Sequence, residues 1–168
     1  MRRPNPVVAK KKETRPRSVA RDMKSLEDLI RIPPFHKYLD VRLVAVDEHH
    51  VRLRVPYKPE FIGNPRVPAW HGGIISALID LAGGAVLFPI TNIPTPTIDM
   101  RVDFIRPAVA KQGTAILADA HVIRCGKTIG HVRVDVTDEG TGKLVAVGSC
   151  VYSVKDQERP PEGAHPIG

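Results

Sequence analysis

Residues 71–88, HGGIISALIDLAGGAVLF, are the stretch that decides the fold of this 168-residue chain. From Ile74 to Phe88 nearly every side chain is apolar, on all sides of a helix with about 3.6 residues per turn. A helix that is apolar all round is a buried helix, whereas a surface helix keeps a polar face. The pattern therefore predicts a central helix from Ile74 to about Phe88 that the rest of the chain must cover.

Asp80 is the only charged residue of this segment, and Ser76, one turn earlier, is its only polar neighbour. A carboxylate within an apolar helix is costly unless it is paired or hydrogen-bonded. Two interpretations stay open at this point. Asp80 is either a structural ion pair with an arginine, or a nucleophile or general base in a partly desolvated cleft.

The segments on either side of this helix are mostly extended. A short helix is expected from Ser25, which serves as N-cap, to Ile30, before Pro33-Pro34. Residues 58–70 read as a Pro- and Gly-containing loop. Alternating or β-branched residues predict six strands, the last four as an antiparallel meander: 41–46, 50–56, 97–105, 113–124, 128–137 and 143–154. The expected fold is α+β, with one sheet wrapped around the central helix.

The net charge of +7 belongs to the N-terminus. Residues 1–24 contain nine Lys and Arg and two acidic residues, whereas the remainder contains 16 of each sign. We therefore divide the chain into a basic arm (1–24), a folded domain (25–155) and a Pro-rich tail (156–168). The arm is expected to be a solvated tail, with contact to nucleic acid, membrane or an acidic partner as the alternative. No specific nucleic acid is expected.

Several classes of protein are disfavoured by what the sequence lacks. The two cysteines, Cys125 and Cys150, have no metal-ligand spacing, and no Cys/His cluster or G-x-S-x-G elbow occurs. The N-terminus has no apolar signal region, and the longest apolar run, Leu81–Ile90, is short for a bilayer. We expect a cytoplasmic protein with free thiols, no metal, no resident cofactor and no transmembrane segment.

His71-Gly72-Gly73 stands where the central helix begins. Glycines in a first helical turn leave backbone N–H groups approachable at the positive end of the helix dipole, which suits an oxyanion hole. The alternative is a tight corner between loop and helix. Asp80 lies eight residues after Gly72, or about 12 Å along a helix, too far to act on a carbonyl bound at Gly72 of the same chain. If both residues act, they come from two chains related by a two-fold axis. The Gly83-Gly84 pair is expected to permit close packing, with a partner helix as one candidate.

Five short segments together resemble the PaaI-like thioesterases of the hotdog-fold superfamily. The resemblance covers roughly residues 32–154 and is carried by five motifs, PFHKYL (34–39), HGGIISALID (71–80), TIDM (97–100), FIRPA (104–108) and LVA (144–146). It implies a long helix wrapped by a curved antiparallel sheet, dimers that often pair into tetramers, and sites shared between two chains. Dimer and tetramer both stay open.

The same resemblance implies a role for individual residues. Asp80 matches the nucleophile or the base that activates water, and the Gly72 N–H matches the group that polarises the thioester carbonyl. His71 matches a residue that positions this region, and Thr97 a hydroxyl that holds the water or the carboxylate. Asn64 corresponds to an amide that orients substrate or water, although the loop from Asn64 to His71 is one residue longer here and has two prolines. An ordinary turn residue is the alternative for Asn64.

The function implied is hydrolysis of an acyl-coenzyme A thioester to a carboxylic acid and free coenzyme A, with coenzyme A as part of the substrate. Its phosphates need basic partners, and the candidates are Arg101, Arg106, Arg124 and Lys127. The alternative function is a non-catalytic module of the same fold that binds acyl-CoA or lipid.

Overall fold

The computed structural model describes the backbone of residues 19–155 and the side chains from residue 24 onward. Most of the predicted basic arm and the whole Pro-rich tail therefore lie outside the described residues. Within residues 19–155 the α-helices are α1 (Val19–Arg31), α2 (Pro34–Leu39) and α3 (Gly72–Thr91). The strands of the same range are β1 (Arg42–Val46), β2 (His50–Pro56), β3 (Ile62–Asn64), β4 (Val67–Trp70), β5 (Thr97–Phe104), β6 (Ala115–Cys125), β7 (Ile129–Asp138) and β8 (Leu144–Ser153).

Six of the strands form one antiparallel sheet in the order β1-β2-β6-β7-β8-β5, and α3 packs against five of them. The predicted α+β fold with a long central helix in an antiparallel sheet is confirmed. The predicted meander is wrong in one place. β5 does not pair with β6, which follows it in sequence, but crosses to β8 and becomes an outer strand of the sheet.

Two local predictions also need correction. Helix α1 begins at Val19, not at Ser25, so Ser25 lies within the helix and is not its N-cap. The segment 58–70, expected to be a loop, contains a single 3-10 turn and the small β3–β4 hairpin. This hairpin is tied to the body of the domain because the His71 N–H donates to the Phe61 carbonyl at 2.7 Å and the Trp70 N–H to the Ala108 carbonyl at 3.1 Å.

Helix α3 is the centre of the core. Ile75, Leu78, Ile79, Ala82 and Val86 are almost fully buried, and the facing side chains of β2, β6 and β7 alternate between buried and partly exposed, as the sequence predicted. The helix is 20 residues long with Pro89 inside it, longer than the apolar run suggested. Its mean hydropathy of 1.9 and its length are those of a membrane span, but its packing inside the sheet makes it a core helix.

Gly83 allows α3 to approach β8. A Cβ atom at Gly83 would lie 2.2 Å from the hydroxyl oxygen of Tyr152. That hydroxyl donates a 2.8 Å hydrogen bond to the Asp80 carbonyl, and burial raises the pKa of Tyr152, so the phenol remains a donor. At Gly83 the close packing expected of the glycine pair is therefore made within the chain, between α3 and a tyrosine of β8.

We expect Gly83→Ala to lower the free energy of unfolding by about 1–3 kcal/mol, because the methyl group must displace a packed and hydrogen-bonded ring. Gly84→Ala is the matched control. Its Cβ would lie 3.5 Å from the nearest atom, and alanine favours a helix over glycine by about 1 kcal/mol. Chemical denaturation of both variants measures the difference. Equal stability of the two variants would show that Tyr152 does not restrict position 83.

Candidate active site

Asp80 lies half-buried in the middle of α3 and is held by one side chain. Thr97 Oγ1 donates a 2.5 Å hydrogen bond to Asp80 Oδ1. None of the ion pairs among residues 24–155 involves Asp80, so the structural ion pair with an arginine is absent from the described part of the chain. The carboxylate keeps its second oxygen available for chemistry.

Thr97 reaches Asp80 because of where β5 begins. Farther along the strand, the half-buried Met100 and Val102 pack with the core. Between Thr97 and Asp99 the register with β8 shifts by one residue, and such an irregularity re-aims a side chain. The first residue of the strand thereby contacts the central helix. The sequence placed Thr97 near the carboxylate only through family resemblance, and the structure brings the two together.

His71 is the N-cap of α3. Its Nδ1 accepts a 2.8 Å hydrogen bond from the Gly73 N–H, so in the neutral ring the proton is on Nε2. One of the two glycine N–H groups expected to be bare is therefore capped. The Gly72 N–H, at the first position of the helix, has no carbonyl four residues earlier to bond, and among the described residues no other group accepts from it. Gly72 is the donor that this helix end offers.

Gly72 and Asp80 open into different cavities of the same chain. The cavity at Gly72 measures about 450 Å³ and is bounded by residues 69–75 and 104–108. The cavity at Asp80 measures about 230 Å³ and is bounded by α1, α3 and residues 93–97. The two share no lining residue. This separation agrees with the spacing of about 12 Å along the helix.

Phe104 and Tyr152 are the two neighbours of the site that the sequence did not single out. The ring of Phe104, at the end of β5, covers Gly72, where a Cβ would lie 3.2 Å from Cζ. Tyr152 fixes the backbone of Asp80 through the hydrogen bond described above. The glycine at each contact was visible in the sequence, but its partner, more than thirty residues away, was not.

Comparison with known proteins identifies the family. A model of the thioesterase superfamily matches residues 68–145. A protein of Halobacterium salinarum, provisionally named as an esterase, is 34% identical over 129 residues, which cover 70% of this chain and 82% of that protein. The chain belongs to the thioesterase superfamily. Acyl-coenzyme A thioesterase 13 of Mus musculus is 29% identical over 121 residues, covering 71% of this chain and 84% of that enzyme.

Solved structures agree with this membership of the thioesterase superfamily. A crystal structure of another member aligns with a TM-score of 0.74 at 30% identity, over 80% of this chain and 99% of that one. The PaaI protein of Escherichia coli, from the phenylacetic acid degradation operon, aligns with a TM-score of 0.70 over 81% of this chain and 95% of that one. At 19% identity, the likeness to PaaI is one of fold. The predicted family, hotdog fold and enzyme class, thioester hydrolase, are confirmed.

The segment matched to the thioesterase superfamily contains Asp80, Gly72, His71 and Thr97 but begins after Asn64. Asn64 is exposed in the β3–β4 turn, where its Oδ1 accepts a 2.9 Å hydrogen bond from the Arg66 N–H. This is the ordinary turn role that the sequence left open. Within one chain, the structure gives Asn64 no contact with Asp80 or Gly72.

The four basic residues proposed for coenzyme A phosphates are all exposed but differ in what they contact. Arg101 forms an ion pair with Asp103 at 3.0 Å. Arg106 donates a 2.6 Å hydrogen bond to the Leu144 carbonyl and borders the cavity at Gly72. Arg124 and Lys127 lie at the β6–β7 turn. The structure thus places one of the four beside a candidate site residue.

Proposed function

We propose that this protein hydrolyses acyl-CoA thioesters to a carboxylic acid and coenzyme A, in a site shared between two subunits. One observation carries the proposal. Asp80 is a half-buried carboxylate on the wall of an apolar cavity, with a hydroxyl donor, Thr97, and no cation partner among residues 24–155. A helix with a purely structural role does not need a carboxylate in this position. Hydrolysis of an acyl thioester, in contrast, requires a carboxylate beside an apolar acyl group.

The chemistry follows from two groups. The Gly72 N–H, at the positive end of α3, donates to the thioester carbonyl oxygen and stabilises the negative charge that develops on it. Asp80 either attacks the carbonyl carbon or removes a proton from a water molecule that attacks it. If Asp80 attacks, the carbon–sulfur bond breaks to give the thiolate of coenzyme A and a mixed anhydride on Asp80, and water then hydrolyses the anhydride to release the acid and restore Asp80. If water attacks, the carbon–sulfur bond breaks and the acid forms directly. In both routes water supplies the second oxygen of the acid and the protons of the products.

The proposal that two chains share the site rests on the edge of the sheet. β5 is an outer strand, eight residues long, and no strand among residues 19–155 pairs with the backbone N–H and C=O groups of its outer edge. Ile98 and Phe104 on it are 58% and 55% exposed in the single chain. Natural proteins protect such an apolar edge from unwanted association, or use it for pairing. Pairing with β5 of a second copy covers both the edge and the apolar side chains.

Antiparallel pairing of β5 about a two-fold axis also explains how the site is completed. If the two copies of β5 pair over their full length, Thr97 at the start of one strand lies opposite Phe104 at the end of the other. Thr97 holds Asp80, and Phe104 covers Gly72. The pairing therefore brings Asp80 of one chain towards Gly72 of the other, twice per dimer. A dimer satisfies this requirement, and a dimer of dimers satisfies it equally.

The remaining expectations belong to the same proposal. Arg106 is the best placed of the four basic residues to bind a phosphate of coenzyme A, because it borders the cavity at Gly72. Arg101, Arg124, Lys127 and a role for Asn64 in orienting the substrate stay predictions, as do the cytoplasmic location and the role of the basic arm.

The proposed function is tested by following thiol release from a panel of acyl-CoA esters with the purified full-length chain. We expect turnover, together with a mass that shows a dimer or a higher even assembly. The alternative, a non-catalytic acyl-CoA-binding module, predicts a thermal shift with the same esters and no thiol release. Thermal shifts without turnover across the whole panel would therefore contradict the proposal.

A further inference from the structure

The cavity beside Asp80 has one wall formed by helix α1, which precedes the segment that the model of the thioesterase superfamily matches. Helix α1 contributes Leu26, Leu29 and Ile30, and these face Leu81, Ala85 and Phe88 of α3 across the cavity. The matched segment begins only at residue 68.

The polar groups that line this cavity are already engaged with the backbone, apart from the Asp80–Thr97 pair. Thr95 Oγ1 donates to the Gly84 carbonyl at 3.2 Å, and Tyr152 donates to the Asp80 carbonyl at 2.8 Å. The Nδ1 atom of His36 lies 3.0 Å from the Ile30 carbonyl, to which it can only donate. No lysine or arginine is among the described residues that line the cavity. A charged or hydroxylated group placed there would lose its hydration without gaining a partner.

We infer that this cavity binds the acyl group, and that it selects uncharged, apolar acyl groups of medium length; this inference rests on the proposed function. A cavity of 150 Å³ lined by Leu, Ile and Phe is large enough for the six carbons of benzene. The cavity here measures about 230 Å³, which in proportion corresponds to roughly nine carbons. Each methylene that enters it contributes a factor of roughly four in affinity or kcat/KM, until the cavity is full.

Gly84 and Leu29 set the size of the cavity from opposite sides. Gly84 lies one turn after Asp80 and lines the cavity. A methyl group at Gly84 meets Thr95 and Tyr152 at 3.5 and 3.6 Å, which are ordinary contacts, so Gly84→Ala fits the fold and occupies cavity space. Leu29, half-exposed on α1, contacts the core from the other side, and Leu29→Ala enlarges the cavity.

Two measurements on the full-length chain test the inference. The first is kcat/KM for straight-chain acyl-CoA esters from four to sixteen carbons, together with glutaryl-CoA against pentanoyl-CoA. The second is the Kd of non-hydrolysable S-alkyl-CoA thioethers with the same chain lengths. Wild type, Gly84→Ala and Leu29→Ala are compared with Leu43→Ala, which removes a partly buried leucine of β1 that packs on the core but does not line this cavity.

For wild type we expect both quantities to improve roughly fourfold per methylene up to about eight to ten carbons and then to level off. Gly84→Ala should shift this optimum to shorter chains by one or two carbons, and Leu29→Ala should shift it to longer chains, whereas Leu43→Ala leaves it unchanged. Glutaryl-CoA should be hydrolysed at least about 100-fold more slowly than pentanoyl-CoA, because its terminal carboxylate would be buried without a cation.

The two proposals fail in different ways. One outcome is that thiol is released but neither Gly84→Ala nor Leu29→Ala changes the preferred chain length. This outcome would overturn the assignment of the cavity as the acyl-binding site and leave the proposed thioester hydrolysis standing. A second outcome is that thioethers bind with a chain-length limit that both variants shift, while no ester releases thiol. This outcome would overturn the proposed function and support the assignment of the cavity as the acyl-binding site. A thioether affinity that is independent of chain length overturns the cavity assignment whatever the activity.

Discussion

Asp80→Asn should lower kcat for thiol release by about 1,000-fold or more, since the amide neither attacks a thioester nor accepts a proton from water. The fold should be unaffected. The amide oxygen still accepts the hydrogen bond from Thr97, and no ion pair among the described residues is lost. Steady-state kinetics with the preferred acyl-CoA, and thermal unfolding of the same samples, separate the two effects. We expect Tm and the affinity for a non-hydrolysable thioether to stay close to those of the wild type.

Three variants serve as comparisons for Asp80→Asn. Asp28→Asn removes one negative charge from an exposed position of α1 and should leave kcat unchanged. Thr97→Val removes the donor to Asp80 and should lower kcat about 10- to 100-fold, the value of a hydrogen bond to a charged group. Thr97→Ser, which keeps the hydroxyl, should retain most of the rate. If Asp80→Asn and Asp28→Asn released thiol at the same rate, Asp80 would have no part in the chemistry.

Much of the fold follows from patterns that act over short distances along the chain. The all-round apolar character of α3 predicted a buried helix because burial depends on the helix's own side chains. The alternation along β2 and β7 predicted strands with one face in the core, and both are found with bounds within one residue of those expected. The antiparallel pairing of β6 with β7 and of β7 with β8, which formed part of the predicted meander, is also found.

The errors are of two kinds: contacts between residues that are distant in sequence, and the bounds of short local elements. β5 leaves the predicted meander because its partner is β8, and no local pattern specifies a crossover. The β3–β4 hairpin was taken for a loop because its strands are three and four residues long and contain Pro68. Ser25 was taken for a cap although helix α1 continues through it. The contact of Gly83 with Tyr152 likewise depends on the tertiary fold.

The candidate site was predictable in unequal parts. Asp80 was identifiable from physics alone, as a carboxylate on an apolar helix, and the start of α3 at Gly72 from its glycines. The pairing of Thr97 with Asp80 depends on a register shift in β5. The sequence indicated this pairing only through resemblance to a family. The capping of Gly73 by His71 depends on a side-chain conformation. It reduces the expected pair of free donors to the single N–H of Gly72.

That single donor can be removed without removing the helix end. Gly72 is the first residue of α3, a position that proline favours because its fixed backbone angle suits the first turn and its missing N–H bonds nothing there. His71 has φ −64° and ψ 131°, a conformation compatible with a following proline. We expect Gly72→Pro to lower kcat/KM by about 100- to 1,000-fold through loss of the oxyanion donor. Gly72→Ala introduces the same close contact with Phe104 but keeps the N–H, and should remain within a few-fold of wild type.

A mixed dimer of one Gly72→Pro chain and one Asp80→Asn chain tests whether the site is shared between two subunits. Each variant alone gives dimers with two defective sites. In a mixed dimer with one Gly72→Pro chain and one Asp80→Asn chain, a shared site joins the intact Asp80 of the first chain to the intact Gly72 of the second, so one of its two sites is whole. Co-expressed and doubly tagged mixed dimers should therefore recover about half of the wild-type rate per dimer, since one of two equivalent sites is restored. If each site lay within one chain, every site would carry one defect. The mixed dimer would then be as inactive as its parents, although wild-type chains carrying the same two tags are fully active.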